Sequence, residues 1–320
     1  MAKLSLDKKI TGNPLYFAKQ ILAKLSFAVS PSSSRMRFKL FQNLNRLRIV
    51  RDVCPLPGFP SHDACIWKGR ATQSRFPVIE HANGYTVTDF KNRCITWHRT
   101  FTNDHDIPTL ESKSLIHIHE WIPPTYIKKI PGFFSFSMDH FEAVTVLTPE
   151  PTKLWSSQAR RHLSSARKNP DLKLRLGTID EVANMLPMSQ VPKSLHQTFL
   201  DFAKRHIVAH PEDVEILIAT LNDKPVAGFI AGYCAEARES SYLVGCFTGD
   251  GGKTHAMVAL VAWWFERCTA RGMVHANFGD IVGPRPFPFD DFIGYSNFKT
   301  HFNIHRVWMP GSRWNISLSL

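Results

Sequence analysis

Tyr242-Leu243-Val244-Gly245-Cys246-Phe247 is an apolar run that reads as a buried strand, and a glycine-rich turn follows it, Gly249-Asp250-Gly251-Gly252-Lys253-Thr254. A long apolar helix is expected from about Ala256 to Ala270, ended by Arg271-Gly272. A second strand-like run, Met273 to Phe278, leads into Gly279-Asp280 and a proline-rich loop, and the stretch closes at Gly294 to Asn303. Strand, turn, helix and strand make a βαβ unit whose two strands should be parallel with a right-handed crossover. Glycines at a helix start let backbone N–H groups approach a ligand, and the helix dipole favours an anion there. The turn is therefore either a phosphate or pyrophosphate site or a tight connection with no ligand. The pattern alone leaves both open.

Gly252-Lys253-Thr254 also resembles the end of the nucleotide-binding P-loop, G-x-x-x-x-G-K-[ST]. The first glycine of that motif would fall at Phe247, and too little chain follows the helix to build the usual nucleotide-binding sheet. That reading is set aside. A closer resemblance is to the GNAT-like acyltransferases, in particular the FemAB-like branch, and it rests on three ordered features. The first is a basic helix with Ser157, Arg160, Arg161, Ala166 and Lys168. The second is the strand, turn and helix from Tyr242 to Trp264, and the third is a Gly-x-x-x-Phe-Lys-x-x-Phe motif at Gly294, Phe298, Lys299 and Phe302. Where the family has Asp-Phe-Gly-Gly after the second strand, this chain has Asn277-Phe278-Gly279-Asp280.

The resemblance implies an α/β (α+β) fold: a GNAT-like mixed sheet flanked by helices, preceded by a shortened, degenerate second lobe and a basic N-terminal arm. The expected divisions are 1–52, 53–145 and 146–320. In such folds two neighbouring parallel strands splay apart and an acyl donor lies in the gap, here between Tyr242–Phe247 and Met273–Phe278. Gly249, Gly251, Gly252 and Lys253 are then the candidate phosphate contacts. Lys299 is expected at the active centre, stabilising the oxyanion formed when an amine attacks the carbonyl, with Phe298 shaping the pocket. The amine must lose a proton, and Asp280, His255 and His275 are the candidate bases. Arg160 and Arg161 would meet phosphate or carboxylate of a substrate; the other reading is a solvated basic face. Tyr242 and Tyr295 are candidate acid or substrate contacts, with core packing the competing reading for Tyr242.

Three functions follow as expectations. One is an N-acyltransferase using acyl-CoA on a small-molecule amine acceptor (amino acid, amino sugar or peptide). Another is an aminoacyl-tRNA-dependent transferase acting on a cell-wall precursor, although members of that type often carry an inserted helical hairpin and no such segment is read here. The third is a non-catalytic lobe that binds a nucleotide-containing ligand.

The rest of the chain bounds these expectations. A chain of 320 residues buries roughly three quarters of its unfolded surface, enough for one large or two modest domains. The net charge is +12, and the first 51 residues hold six lysines and five arginines against Asp7, so most of the imbalance sits there. Helical spacing at Leu15, Phe17, Ala18, Ile21, Leu22 and Leu25, then at Met36, Leu40, Leu44 and Leu47, suits an amphipathic pair. Such helices pack on a domain, lie on an anionic membrane surface or track tRNA phosphates. Lys19 and Lys24 argue against a secretory signal, whereas a transit peptide fits the composition. No apolar run reaches the ~18 residues needed to span a bilayer, so a cytoplasmic protein, in some settings peripheral at the inner membrane face, is expected. Six cysteines without C-x-x-C spacing read as scattered thiols.

Between residues 53 and 145, strand-like pieces recur at Ala64–Trp67, Tyr85–Phe90, Cys94–Phe101 and Leu115–Trp121. His117 and His119 fall on one face of the last, with Glu120 beside them; this lacks a third ligand at recognisable spacing, and no metal is expected. Further on, Thr152 is expected to cap the basic helix. Thr178 and Glu181 form a capping-box pair, and Val214–Leu221 and Val226–Cys234 flank Asn222-Asp223-Lys224-Pro225 as a hairpin.

Overall fold

The computed structural model describes residues 76–81, 84–102, 110, 113–122, 134–135, 140–189, 193–281, 293–309 and 313–318. The basic arm and the piece expected at Ala64–Trp67 lie outside them. In chain order, the strands run β1 (Ile79–His81), β2 (Gly84–Lys91), β3 (Ile95–Thr102), β4 (Ile116–Ile122), β5 (Phe134–Ser135) and β6 (His140–Val146). Then come helix α1 (Ser157–Lys168), β7 (Leu172–Leu176), α2 (Ile179–Met185), α3 (Lys193–Ala209), β8 (Val214–Leu221), β9 (Lys224–Cys234) and β10 (Glu239–Phe247). The chain continues through α4 (Gly249–Lys253), α5 (Ala256–Ala270), β11 (His275–Ile281), α6 (Ile293–Lys299), β12 (His305–Met309) and β13 (Arg313–Leu318).

Two mixed sheets result, with strand orders β1-β2-β3-β4-β13-β5 and β12-β6-β11-β10-β9-β8-β7. The GNAT-like α/β architecture expected from the sequence is present. The division expected at residue 146 coincides with the end of β6, which already belongs to the second sheet, while β13 returns to pair with β4. The two sheets are interleaved along the chain.

The second sheet is covered on both faces, which is why β8, β9 and β10 from Tyr242 on are mostly apolar. On one side Phe229, Tyr242, Phe278 and Phe302 pack with Trp155, Ala159 and Leu163 of the α1 region and Leu260, Trp264 and Phe265 of α5. On the other, Ile218, Ile230, Val244 and Cys246 meet Val182, Met185 and Leu186 around α2 and Leu200 and Ala203 of α3. Helix α5 is buried on every side over its first two turns, from Ala256 to Ala262, as expected of a helix central to its layer. It ends with Gly272 at φ +71°, the Gly272 and Met273 N–H groups donating to Thr269 and Cys268 carbonyls. Such a left-handed C-terminal cap suits glycine because it has no Cβ.

One buried carboxylate pins this sheet to α5. Glu215 on β8 accepts from the Tyr233 hydroxyl at 2.7 Å, from Arg271 at 2.6 Å and from Arg267. Burial works to raise its pKa, but these donors prevail and hold it down at about 2.

The first sheet is built differently. One face carries Trp97, Ile118 and Trp314, with Arg99 lying on the Trp97 ring and paired to Glu120 and Asp89. The other face is buried yet polar: Thr86 bonds Thr100, Thr100 bonds His119, Thr96 bonds Ser114, and His98 shares a 2.9 Å hydrogen bond with His117. Here the structure adds a third imidazole, His98, to the pair singled out in the sequence. Glu120 lies on the opposite face, with Arg99. Burial, then His117 and Lys91, push His98 down to about 4.

Sequence reading placed the cap of α1 at Thr152; instead a tight turn occupies Pro151–Leu154 and Ser156 caps the helix, its Oγ accepting from the Ala159 N–H. A proline at the start of that turn favours the short helical turn over an N-cap four residues early. The Thr178–Glu181 capping box and the β8–β9 hairpin are both present, the latter turning through Asn222 and Asp223 at φ +48° and +62°. Asn and Asp tolerate that region better than most residues. Among the described residues Cys94, Cys234, Cys246 and Cys268 are free thiols.

Candidate active site

The parallel strands β10 and β11 pair at only three positions, Glu239 with His275, Ser240 with Ala276 and Ser241 with Asn277. Past them both strands are irregular: β10 shifts register against β9 between Tyr242 and Val244, and β11 against β6 between Asn277 and Asp280. A bulge bends a strand and raises its twist, so two bulges at the same level part the pair. Gly279 at φ +71° accepts the bend in β11, and its N–H donates to Asn277 Oδ1 at 2.8 Å. The strands thus diverge toward their C-terminal ends, where ligands lie in open α/β sheets.

The closed end of the cleft is polar and dry. Asn277 donates to Glu142 Oε2 at 2.6 Å and to Glu239 Oε1 at 2.9 Å, so one amide joins two buried carboxylates from the strands on either side. Its wall is aromatic: Tyr242 stacks on Phe229 and on Phe278, and its hydroxyl points to Met257 Sδ at 3.8 Å. Gly245 makes room for that ring, since a Cβ there would lie 1.5 Å from the Tyr242 hydroxyl oxygen. Tyr242 is therefore a core residue at the cleft wall.

The three separate sequence features meet at the open end. Ser156, at the start of the basic helix, is tied to His301 twice: its N–H donates to the His301 carbonyl at 3.0 Å, and its Oγ lies 2.9 Å from His301 Nδ1. His162 of α1 stacks face to face on His255, the residue before α5, with ring centroids 3.9 Å apart and planes 7° apart. Lys299 closes α6, which packs on β11, and is fully buried; Phe298 meets Phe302 edge-on at 4.8 Å. Arg160 and Arg161 lie exposed on α1, and Arg160 donates to the Lys153 carbonyl. Asp280 occupies the β11 position facing Glu142, and Tyr295 lies in α6; their side chains are outside the described set.

The glycine turn is not an open loop. Residues 249–253 form α4, capped by Thr248. The Gly251 N–H donates to Thr248 Oγ1, Gly252 to the Thr248 carbonyl, Thr254 to Asp250 and His255 to Gly252. Gly251 faces the sheet, where a Cβ would come within 2.2 Å of the Val226 carbonyl oxygen, whereas Gly249 has open space. Lys253 is exposed and paired with Asp250 at 3.3 Å. Of the candidate bases, His275 is buried and shifted down by burial, then by Arg238 and His305. Sequence reading missed Ser156, His162, His301, Glu142 and Glu239. Each carries no motif of its own and gains meaning only through partners far along the chain.

No protein-family model matches the chain, and no curated protein matches it in sequence. Solved structures do match. FemX superposes with a TM-score of 0.50 at 10% identity, over 64% of this chain and 73% of its own. The C-terminal domain of a lysylphosphatidylglycerol synthetase from Agrobacterium fabrum gives 0.47 at 13% identity, covering 79% and 87%. A GCN5-related N-acetyltransferase-like protein from Streptococcus suis gives 0.38 at 9% identity, covering 84% and 97%. The chain has the GNAT-like, FemX-like fold.

Proposed function

We propose that the chain is an N-acyltransferase that moves an acyl group from a CoA-type thioester to an amine acceptor in the cleft between β10 and β11. The observation that carries this reading is the parting of the two parallel strands after Ser241 and Asn277, beside an α6 that ends in the buried Lys299. A cation held away from water acts far more strongly on a developing oxyanion than an exposed one. Lys299 takes that role and Phe298 shapes the pocket. Asp280, three residues past Asn277, where the pairing of β11 with β10 ends, accepts the proton of the attacking amine, directly or through water. Arg160, Arg161 and Tyr295 contact the substrates, and the amine acceptor is an amino acid, amino sugar or peptide. Gly249, Gly252 and Lys253, exposed on α4, are the parts of the glycine turn open to a donor phosphate, with Gly251 turned to the sheet.

The experiment is a thermal-shift titration with CoA and acyl-CoAs of rising chain length. A ligand at 100 times its dissociation constant stabilises the fold by about 2.7 kcal/mol. A rise that grows with chain length supports the thioester donor; no shift at saturating CoA overturns it.

A second reading is favoured by the engaged N–H groups of Gly251, Gly252, Thr254 and His255, which leave little backbone for a pyrophosphate. In it the donor is an aminoacyl-tRNA, held by Arg160, Arg161 and the basic residues of 1–52. The same arm suits an anionic membrane surface. No helix among the described residues is long and apolar enough to cross a membrane; a cytoplasmic, peripheral protein is the corresponding proposal. Binding of charged tRNA that falls when residues 1–52 are removed would support this donor, and unchanged binding would count against the arm.

A further inference from the structure

We propose that His162, His255 and His301, with Arg161, form a proton-coupled subsite for a phosphate-type oxyanion. Four groups that are cationic or can become so gather from three chain segments, and two of them lie ring on ring at 3.9 Å. Like charges at this separation repel, and more strongly at a protein surface than in bulk water. The stack is therefore stable with both rings neutral, or with charge present and an anion beside it.

The surroundings favour a neutral His162 in the free protein. Partial burial, then His255, His301 and Arg161, lower the pKa of His162. Among the described residues no carboxylate acts on it. On the same chain segments, Asp250 pairs with Lys253, Glu150 with Lys153 and Glu266 with Arg167. Ser156 fixes the third imidazole by its 2.9 Å bond to His301 Nδ1. A bound oxyanion supplies the missing negative charge, so binding and imidazole protonation favour each other. A fixed cluster of lysines would instead bind anions with no such pH response. The assignment of a donor phosphate to this subsite rests on the acyl-transfer reading; the anion site itself does not.

Sulfate is the probe, because its charge is constant over the range in which histidine titrates. Its affinity, measured by calorimetry on the full chain, should rise about tenfold per pH unit as pH falls through ~6.5 if one proton is taken up. His162→Gln and His255→Asn should remove the pH dependence; Asn suits the left-handed backbone at 255, where φ is +55°. Arg161→Gln, at an exposed position, should weaken binding several-fold and keep the slope. Affinity that is flat with pH, or unchanged in both histidine variants, overturns the proposal. Should those variants fold poorly, imidazole pKa values of the wild type by NMR decide it: they must rise when sulfate saturates. Competition by adenosine 3′,5′-bisphosphate then identifies a CoA-type donor and competition by tRNA the other. Competition by neither overturns the donor assignment.

Discussion

Two parallel pairs occur among the described residues, and they have opposite fates. β3 and β4 stay matched through seven consecutive positions, from Ile95 with Ile116 to Phe101 with Ile122. β10 and β11 part after three. In the first pair, side chains join the strands along their length: Arg99 with Glu120, Thr100 with His119, His98 with His117. In the second, the polar joint is confined to Asn277 and Glu239, and beyond it stand the rings of Tyr242 and Phe278 with a bulge in each strand. Parallel pairing by itself opens nothing. A cleft forms where cross-strand bonds stop and bulges begin.

The largest effect should come from the side of the open pair. Lys299→Ala is expected to lower acyl-transfer turnover by roughly 10²–10³-fold, the usual result of removing an oxyanion donor. Near wild-type turnover would remove Lys299 from the chemistry and leave the open pair without its reactive group.

Acid separates the two sheets next. His98 has a folded pKa depressed to about 4, below its ordinary 6.5, so the unfolded chain binds more protons between those values. Its contribution is intact above pH ~6.5 and fades as pH falls toward ~4, by up to about 3 kcal/mol. Glu215, depressed from 4.5 to about 2, contributes above its unfolded pKa and is lost only as pH falls toward ~2. Denaturation curves against pH should thus show His98→Gln flattening the upper window and Glu215→Gln the lower. One shared window for both would mean that the sheets do not differ in this way.

Gly245→Ala probes how the cleft wall is made. Its Cβ would displace the Tyr242 ring from Phe229, and a loss of about 1–3 kcal/mol is expected from overpacking of this kind. A variant as stable as the parent would show that the ring is free to move. The smallest contrast lies in the glycine turn. Gly251→Ala, pressed on the Val226 carbonyl, should lose ~1–2 kcal/mol, whereas Gly252→Ala, 3.4 Å from the Phe247 ring, should stay within ~0.5 kcal/mol. Loss of donor binding in Gly252→Ala at unchanged stability would return that glycine to ligand recognition.

Local rules made much of this readable in advance. The α5 limits, Ala256 and Ala270, follow from an apolar run, Ala256 to Phe265, and a close at Arg271-Gly272. The Thr178 box and the Asn222-Asp223 turn depend on neighbours three residues away or fewer. The GNAT-like order of elements was legible for the same reason. The site was legible only in outline. Lys299 and Phe298 stood in a motif, but His162 on His255 and Ser156 on His301 are contacts across the chain that no spacing encodes. The turn at Gly249–Lys253 was misleading because glycine permits an open loop and a short helix alike. Thr248, one residue earlier, decides between them by capping.

The return of β13 to β4 bears on how the protein is made. The first sheet begins at Ile79, yet the strand between β4 and β5 arrives only with Arg313–Leu318, after every strand of the second sheet has been synthesised. Until then the backbone edge of Ile116–Ile122 has no neighbour on that side, and an uncovered edge is a template for pairing with another chain. Contacts this distant in sequence also form late. On the ribosome, β6 to β11 of the second sheet can pair first, and the interval before β13 emerges is when this protein is most exposed to self-association.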